Sequence, residues 1–225
     1  MFKQLDAGLW VYDEPLSSLG VQFGNRTTIV KLDNNKLLLH SPGRLGDKLK
    51  NTLASLGTVN YIVAPNRFHS LFFDTYPNEY PQVEIFMAQG LDKKRRKVPC
   101  SGILDNAAHP AWASHLQQCL IQGMPIFNEV VFFHQASKTL ILTDLILNMQ
   151  PPYGIMNHIH LMMHKAKNGF SFSRILAWMI RNEKRFSHSI QTMLQWDFER
   201  VIVSHGEIVE SGGKALLKKT FSNYL

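Results

Sequence analysis

The 225-residue sequence has only two cysteines, Cys100 and Cys119, and they lack the spacing of a metal-binding pair. They give no disulfide framework, so cysteine usage predicts a reducing, cytoplasmic location. No run of 18 or more apolar residues is present, which predicts that there is no transmembrane segment. The N-terminal stretch MFKQLDAGLW has no basic segment followed by an apolar one, so no signal peptide is expected.

Common catalytic motifs are absent as well. The sequence contains no Gly-rich phosphate-binding loop and no G-x-S-x-G nucleophile elbow. Neither cysteine has a partner suited to nucleophilic chemistry. The function classes that these motifs define are therefore disfavoured.

What the sequence does contain is enough apolar material for a core: 45% of residues are hydrophobic and 11% aromatic. We expect one domain over residues 1–225. The net charge is +7, and part of the excess lies in KKRRK, Lys93–Lys97. This run is interpreted as a solvated basic loop, and the alternative is a contact with a polyanion such as a phosphate group or an acidic membrane. No interleaved aromatic residues or nucleic-acid motif support the alternative.

The order of apolar runs predicts an α/β fold. A hairpin over residues 27–40, a helix over 43–57 and a strand at 61–63 form a strand–helix–strand unit. The long apolar runs at 127–134 and 139–148 are typical of strands buried on both faces. Helical periodicity then predicts a helical segment at about 151–198.

Four of the predicted strands end in a histidine or an aspartate: His40, His69, Asp144 and His205. Such a side chain directly after buried aliphatic residues is costly unless it is paired or bound. Three histidines and one carboxylate form a ligand set suited to a divalent metal. Strand-end residues of this kind also cap loops or bond to backbone, and spacing alone leaves both interpretations open.

The stretch YIVAPNRFHS, Tyr61–Ser70, is one of these strand ends and delivers Asn66 and His69 together. The ends of buried strands are where an α/β protein usually keeps its chemistry. We therefore expect Asn66 to contact a substrate beside His69.

The segments HSPGRL, VAPNRFHSLFF, GMPIFNEVVFFH, TLILTDLILN and WDFERVIVSHGEIV, taken in this order, resemble the metallo-β-lactamase superfamily. That superfamily includes the ribonuclease Z-type and the glyoxalase II-type (hydroxyacylglutathione) hydrolases. The combination is most similar to an uncharacterised branch, a domain-of-unknown-function family. The resemblance implies a four-layer αββα sandwich with the active groove at the strand ends.

The sequence departs from the superfamily's H-x-H-x-D-H motif. Pro65 and Arg67, or in an alignment shifted by one Asn66 and Phe68, stand at the first two histidine positions, and Met124 stands at a later one. The superfamily's first metal site has therefore lost two or more ligands. His69, Asp144 and His205 remain, and in the superfamily these positions belong to the second metal site.

The resemblance thus implies a degenerate, mononuclear site. One divalent ion (Zn, Fe or Mn) would be held by His69, Asp144 and His205, with His40 as a fourth ligand or a supporting residue. It would activate water for attack on a small-molecule ester, thioester or phosphoester, with Asp144 and His205 as the catalytic residues. The alternative is an inactive pseudo-enzyme that acts as a binding or interaction module, in which Asp144 and His205 pair with each other or with Asn66. The sequence makes no prediction of oligomeric state.

Overall fold

The computed structural model describes residues 1–18, 21–22, 24–149 and 169–225. In chain order, the first nine strands are β1 (Phe2–Asp6), β2 (Leu9–Glu14), β3 (Ser17–Ser18), β4 (Val21–Gln22), β5 (Asn25–Lys31), β6 (Lys36–His40), β7 (Thr58–Ala64), β8 (Glu84–Ala88) and β9 (Gly102–Leu104). β3 and β4 pair with each other, and the other seven form one sheet in the order β1-β2-β5-β6-β7-β8-β9. The sheet is antiparallel from β1 to β6 and parallel from β6 to β9.

The second half of the chain forms the remaining strands: β10 (Leu116–Leu120), β11 (Val130–His134), β12 (Thr139–Ile141), β13 (Leu147–Asn148), β14 (Phe170–Ser171) and β15 (Arg200–Ile202). A four-stranded sheet has the order β10-β11-β12-β15, and its last pair is parallel. β13 and β14 form a separate antiparallel pair.

The helices in the described ranges are α1 (Asp47–Leu56), α2 (Tyr76–Glu79), α3 (Leu91–Lys94), α4 (Arg174–Trp178), α5 (Glu183–Met193) and α6 (Gly213–Thr220). Short 3₁₀ turns occur at Asp33–Asn35, Phe73–Thr75 and Ser222–Tyr224. None of the described helices has the length and apolar character needed to cross a bilayer.

Alternating side chains of the two large sheets build a helix–sheet–sheet–helix arrangement. In β6, Leu37 and Leu39 pack with α1 on one face, while Leu38 points into a cluster shared with the second sheet. In β11, Phe132 joins that shared cluster and Phe133 lies on the opposite face, with α5 and α6. Because strand side chains alternate between faces, each sheet covers one apolar layer with helices and the other with its partner sheet. These are the four layers predicted from the sequence.

The predicted hairpin and first helix are confirmed as β5–β6 and α1. The hairpin turn holds Asn34 and Asn35 at φ values of 56° and 57°, a conformation that asparagine tolerates better than most residues. Of the predicted helical segment 151–198, residues 151–168 lie outside the described ranges. The described remainder contains α4 and α5 together with the short strand β14.

Candidate metal centre

Three predicted ligands meet at one end of the paired sheets. Nε2 of His69 lies 3.1 Å from Oδ1 of Asp144, and Nε2 of His205 lies 3.2 Å from the same oxygen. In the described parts of the chain, this is the group of three metal-ligating side chains whose donor atoms all fall within 4.8 Å of one another. Tetrahedral ligands about 2.0–2.1 Å from a zinc ion stand roughly 3.3 Å apart. The spacing therefore suits a single small divalent ion.

His205 follows β15 and is placed by close backbone packing. Gly206 adopts a φ of 99°, and a Cβ at that position would lie 2.0 Å from the carbonyl oxygen of Asn148. Only glycine allows this approach of the His205 loop to the end of β13. From β5, Arg26 donates to the carbonyls of Val203 (2.7 Å) and Gly206 (2.9 Å), on either side of His205.

His69 sits in an irregular loop that follows β7. The side-chain oxygen of Asn66 accepts hydrogen bonds from the backbone N–H groups of Phe68 and His69, both at 2.8 Å. This asparagine turn fixes the direction in which the His69 side chain leaves the loop. Nδ1 of His69 lies 2.5 Å from the hydroxyl of Ser41, a buried residue directly after β6.

Both imidazole rings are oriented through Nδ1. Nδ1 of His205 donates to the carbonyl of Gly24 at 2.9 Å, which leaves Nε2 as the atom that faces Asp144. Nδ1 of His69 is hydrogen-bonded as well, to the hydroxyl of Ser41. Metal-binding histidines are commonly held by a hydrogen bond at the nitrogen that does not bind the metal. The two rings thus present Nε2 toward a common point.

Asp144 is held by a buried acid that sequence reasoning missed. Glu129 is 0% exposed, and its carboxylate accepts from the backbone N–H groups of Thr143 (2.8 Å), Asp144 (3.0 Å) and Leu145 (3.1 Å). These bonds fix the turn after β12 that carries Asp144. The available signal was a glutamate inside the apolar run FNEVVFFH, where an unpaired charge would be costly.

The amide nitrogen of Asn66 joins the two acids. It lies 3.0 Å from Oε2 of Glu129, 2.9 Å from Oδ2 of Asp144 and 2.8 Å from the hydroxyl of Thr143. The amide orientation is fixed, because the other end accepts the two backbone N–H groups of its own loop. Asn66 is 0% exposed. Its predicted contact with substrate stays a prediction, and its contacts support a role in holding Asp144 and His69 together.

Electrostatics favour a charged pair in this cluster. Burial would raise the pKa of Asp144, but the charge of His69 and the hydrogen bonds from His205 and His69 outweigh burial and hold that pKa below its usual value. Burial likewise disfavours the charged form of His69, yet Asp144 and, more weakly, Glu129 raise the pKa of His69. Burial and the charge of Asp144 raise the pKa of Glu129, while hydrogen bonds from Thr143 and Asn66 oppose that shift.

His40 lies at the end of β6 and is not among the converging donor atoms. It is 2% exposed, its ring packs edge-on against Phe132 with centroids 5.3 Å apart, and its Nε2 has no hydrogen-bond partner. Burial, together with the charge of His69, lowers the pKa of His40 to about 3, so this ring is neutral. Its part as a fourth ligand or supporting residue stays a prediction.

A pocket of about 130 Å³ opens over the three ligands. Its polar floor includes His69, Asp144 and His205, and its walls are largely apolar. The other lining residues are Leu16, Asn25, Ser41, Pro42, Phe68, Ser70, Leu71 and Phe72. Phe68 and Leu71 are 44% and 60% exposed at its rim. The side chains of His69, Asp144 and His205 keep 9%, 17% and 11% of their surface exposed, so the converging atoms are close to solvent.

Residues 6–171 match the domain of unknown function DUF4336. The chain belongs to the DUF4336 family. This confirms the predicted placement in an unknown-function branch. No curated protein sequence matches this DUF4336 chain.

Solved metallo-β-lactamases share the fold of this DUF4336 chain at low identity. The enzyme from Pontibacter korlensis is 13% identical, with a TM-score of 0.68 over 100% of this chain and 98% of that one. The Hirschia baltica enzyme is 14% identical, with a TM-score of 0.65 over 100% and 97%. FIM-1 from Pseudomonas aeruginosa, solved in its mono-zinc form, is 12% identical, with a TM-score of 0.65 over 100% and 94%. These likenesses confirm the predicted metallo-β-lactamase-type αββα sandwich.

Proposed function

We propose that this DUF4336 chain is a mononuclear metal-dependent hydrolase of an ester, thioester or phosphoester, with the metal held by His69, Asp144 and His205. The observation that supports the proposal most strongly is the convergence of the two Nε2 atoms on Oδ1 of Asp144 at 3.1 and 3.2 Å, with both Nδ1 atoms engaged elsewhere. Two imidazoles and one carboxylate with open positions suit Zn, Fe or Mn.

The metal, when bound, would supply Lewis acidity and lower the pKa of a coordinated water. The chain's own residues would do the rest. Asp144 lies on the pocket floor and would orient the attacking water, since its carboxylate is fixed by Asn66 and by the backbone contacts of Glu129. The apolar rim, including Phe68 and Leu71, would exclude bulk water from the reacting group.

Metal content and hydrolysis test this proposal together. The purified chain should hold about one equivalent of zinc, iron or manganese, and added metal should raise its melting temperature. It should hydrolyse p-nitrophenyl acetate, a thioester or bis(p-nitrophenyl) phosphate. Asp144→Asn should lose metal and activity, whereas Asp197→Asn, a control at an exposed aspartate that pairs with Lys138, should keep both.

A second candidate is an inactive binding or interaction module. It is favoured by one observation: the Asp144 carboxylate has hydrogen-bond partners from Asn66, His69 and His205 within the protein itself. This is the neutralised network expected of a pseudo-enzyme. Less than about a tenth of an equivalent of metal, with no thermal shift on adding metal, would favour the module. In that case Asp144→Asn should retain partner binding and change only stability.

We also propose a cellular location and a surface contact. The cysteine usage supports a cytoplasmic location, and the exposed members of the Lys93–Lys97 run are the surface for contact with a polyanion. Neither is required by the metal site.

A further inference from the structure

Two consecutive members of the basic run reach the loop that carries His69. Nζ of Lys94 donates to the carbonyl of Arg67 at 3.0 Å. The guanidinium of Arg95 donates to the carbonyl of Ser70 and lies 3.4 Å from the hydroxyl of the same residue. The two accepting carbonyls lie on either side of His69 in the sequence.

The other members of the run do not make such contacts. Lys93, Arg96 and Lys97 are exposed, and the side-chain hydrogen bond of Arg96 goes to the carbonyl of Lys93 within the run itself. One five-residue segment thus contains two cations that bond to the His69 loop, the exposed Lys94 and the half-buried Arg95, and three exposed cations that do not. The sequence shows only five consecutive cations. The structure distinguishes those that bond to the His69 loop from those that do not.

The loop has no regular secondary structure between β7 and the 3₁₀ turn at Phe73–Thr75, so its position depends on contacts with other segments. Its internal bonds are local: the side chain of Asn66 accepts from His69 N, and Ser70 N donates to Phe68 O. The start of the loop is anchored to the second half of the chain by the Asn66 amide, which reaches Glu129 and Asp144, and by the backbone N–H of Arg67, which donates to the carbonyl of Phe127. On the other side of His69, the carbonyl of Ser70 is bound by Arg95. Cationic donors give the stronger, charge-assisted kind of hydrogen bond.

The other histidine of the site is held by a similar arrangement. Arg26 donates to the carbonyls of residues 203 and 206, which bracket His205, and its guanidinium is neutralised by Asp13 at 2.6 Å. Each histidine-bearing loop therefore has its flanking carbonyls bound by cationic side chains from a neighbouring segment. The parallel indicates that carbonyl anchoring is a shared means of placing the two rings.

We propose that Lys94 and Arg95 are positioning residues that hold the His69 loop in the metal-binding geometry. The pair is called the Lys94–Arg95 clamp. The clamp acts on His69 through the backbone carbonyls of residues 67 and 70 and touches neither substrate nor metal. Its effect on metal binding rests on the proposed function, whereas its effect on the loop does not.

The run supplies its own matched controls. Arg95→Gln should be compared with Arg96→Gln, and Lys94→Gln with Lys93→Gln. Each variant removes one positive charge, and the two variants of a pair lie at neighbouring positions. Amide hydrogen exchange over residues 66–72 reports the loop directly. The Zn²⁺ dissociation constant, from competition with a chromophoric chelator, and the visible spectrum of the Co²⁺-loaded chain report the ligand geometry.

Arg95→Gln should speed amide exchange in residues 66–72 at least tenfold and weaken Zn²⁺ binding about tenfold, the usual range for residues that support metal ligands. It should also change the Co²⁺ spectrum, while exchange elsewhere stays at the wild-type rate. Arg96→Gln should change none of these. Equal exchange in the two variants overturns the proposal, and so does faster exchange throughout the chain. If wild-type protein binds no Zn²⁺, the proposed function fails, and the exchange comparison still decides whether the clamp holds the loop.

Discussion

Asn66 donates from its side-chain amide to Oδ2 of Asp144 across 2.9 Å, while Oδ1 of the same carboxylate faces the two histidines. The two oxygens of Asp144 thus have separate partners. Oδ2 is held by Asn66, and Oδ1 is directed at the two histidines beside the pocket. A carboxylate held in this way has little freedom to turn away from a bound ion.

Replacing Asn66 by aspartate should make the stability of the chain depend on a bound cation. The new carboxylate would keep the bonds from the loop N–H groups but would face Glu129 and Asp144 without a donor between them. We expect the free energy of unfolding to fall by roughly 3 kcal/mol in chelator, as for other uncompensated buried charges. Added Zn²⁺ or Mn²⁺ should restore more stability to this variant than to Asn78→Asp, an exposed control. Equal metal responses in chemical denaturation would contradict this account of Asn66.

Glu129→Gln should destabilise the chain, although it only replaces one carboxylate oxygen by an amide NH₂ group. A glutamine amide group would point a donor at one or more backbone N–H groups that now bond to the carboxylate. Leaving such a buried donor unpaired costs about 1–3 kcal/mol. Urea unfolding should show a loss of that size, and Zn²⁺ affinity should fall because the Asp144 turn shifts. Glu84→Gln, at an exposed position of β8, should leave both unchanged.

Comparing Ser41→Ala with Ser41→Gly should distinguish the effect of the lost hydroxyl from the effect of the backbone conformation at this position. Both variants remove the partner of Nδ1 of His69, so both should weaken Zn²⁺ binding about tenfold. Ser41 has a φ of 53°, which glycine adopts more readily than alanine. The glycine variant should therefore melt at a higher temperature than the alanine variant. An alanine variant with wild-type Zn²⁺ affinity would remove Ser41 from the account of the site.

His40 should make the chain sensitive to mild acid. Its pKa is lowered to about 3 in the folded state, against about 6.5 when unfolded, so the unfolded state binds the extra proton first as pH falls. The neutral His40 ring contributes fully to stability above about pH 6.5. As pH falls from there toward 3, the free energy of unfolding decreases by up to about 1.4 kcal/mol per pH unit. Denaturation should be measured at pH 7, 5.5 and 4.5 for wild type and His40→Gln. As pH falls, the free energy of unfolding of wild type should decrease more than that of the variant. The exposed-site variant His188→Gln should track wild type, and a pH-independent His40→Gln difference would show that His40 is not buried and neutral.

The α/β class followed from the pattern of apolar runs, while the four-layer sandwich and the set of three ligands followed from the resemblance to the metallo-β-lactamase superfamily. Apolar runs set the strands, and two of the predicted ligands directly follow such a run, Asp144 after LILT and His205 after VIVS, whereas His69 lies in the loop after β7. Strand ends meet at one edge once the sheets stack. Position along the chain indicated four strand-end residues, and the resemblance to the superfamily singled out His69, Asp144 and His205, which the structure brings together without His40.

The supporting contacts were beyond sequence reasoning, since they join distant segments through particular atoms. Glu129 bonds to the turn at residues 143–145, and Ser41 bonds to His69 across the junction of β6 and β7. Nothing in periodicity marks Ser41, and the basic run gives no sign that Arg95 differs from Arg96. Such pairings depend on register and loop geometry, which only the folded chain defines.

Anomalous scattering at the zinc edge, from crystals of zinc-loaded protein, tests the central claim most directly. The account predicts one peak about 2.0–2.1 Å from Nε2 of His69, Nε2 of His205 and Oδ1 of Asp144. The same crystals of Asp144→Asn should lack it. A map with no peak at this position, while the three side chains remain hydrogen-bonded to one another, would contradict the metal centre.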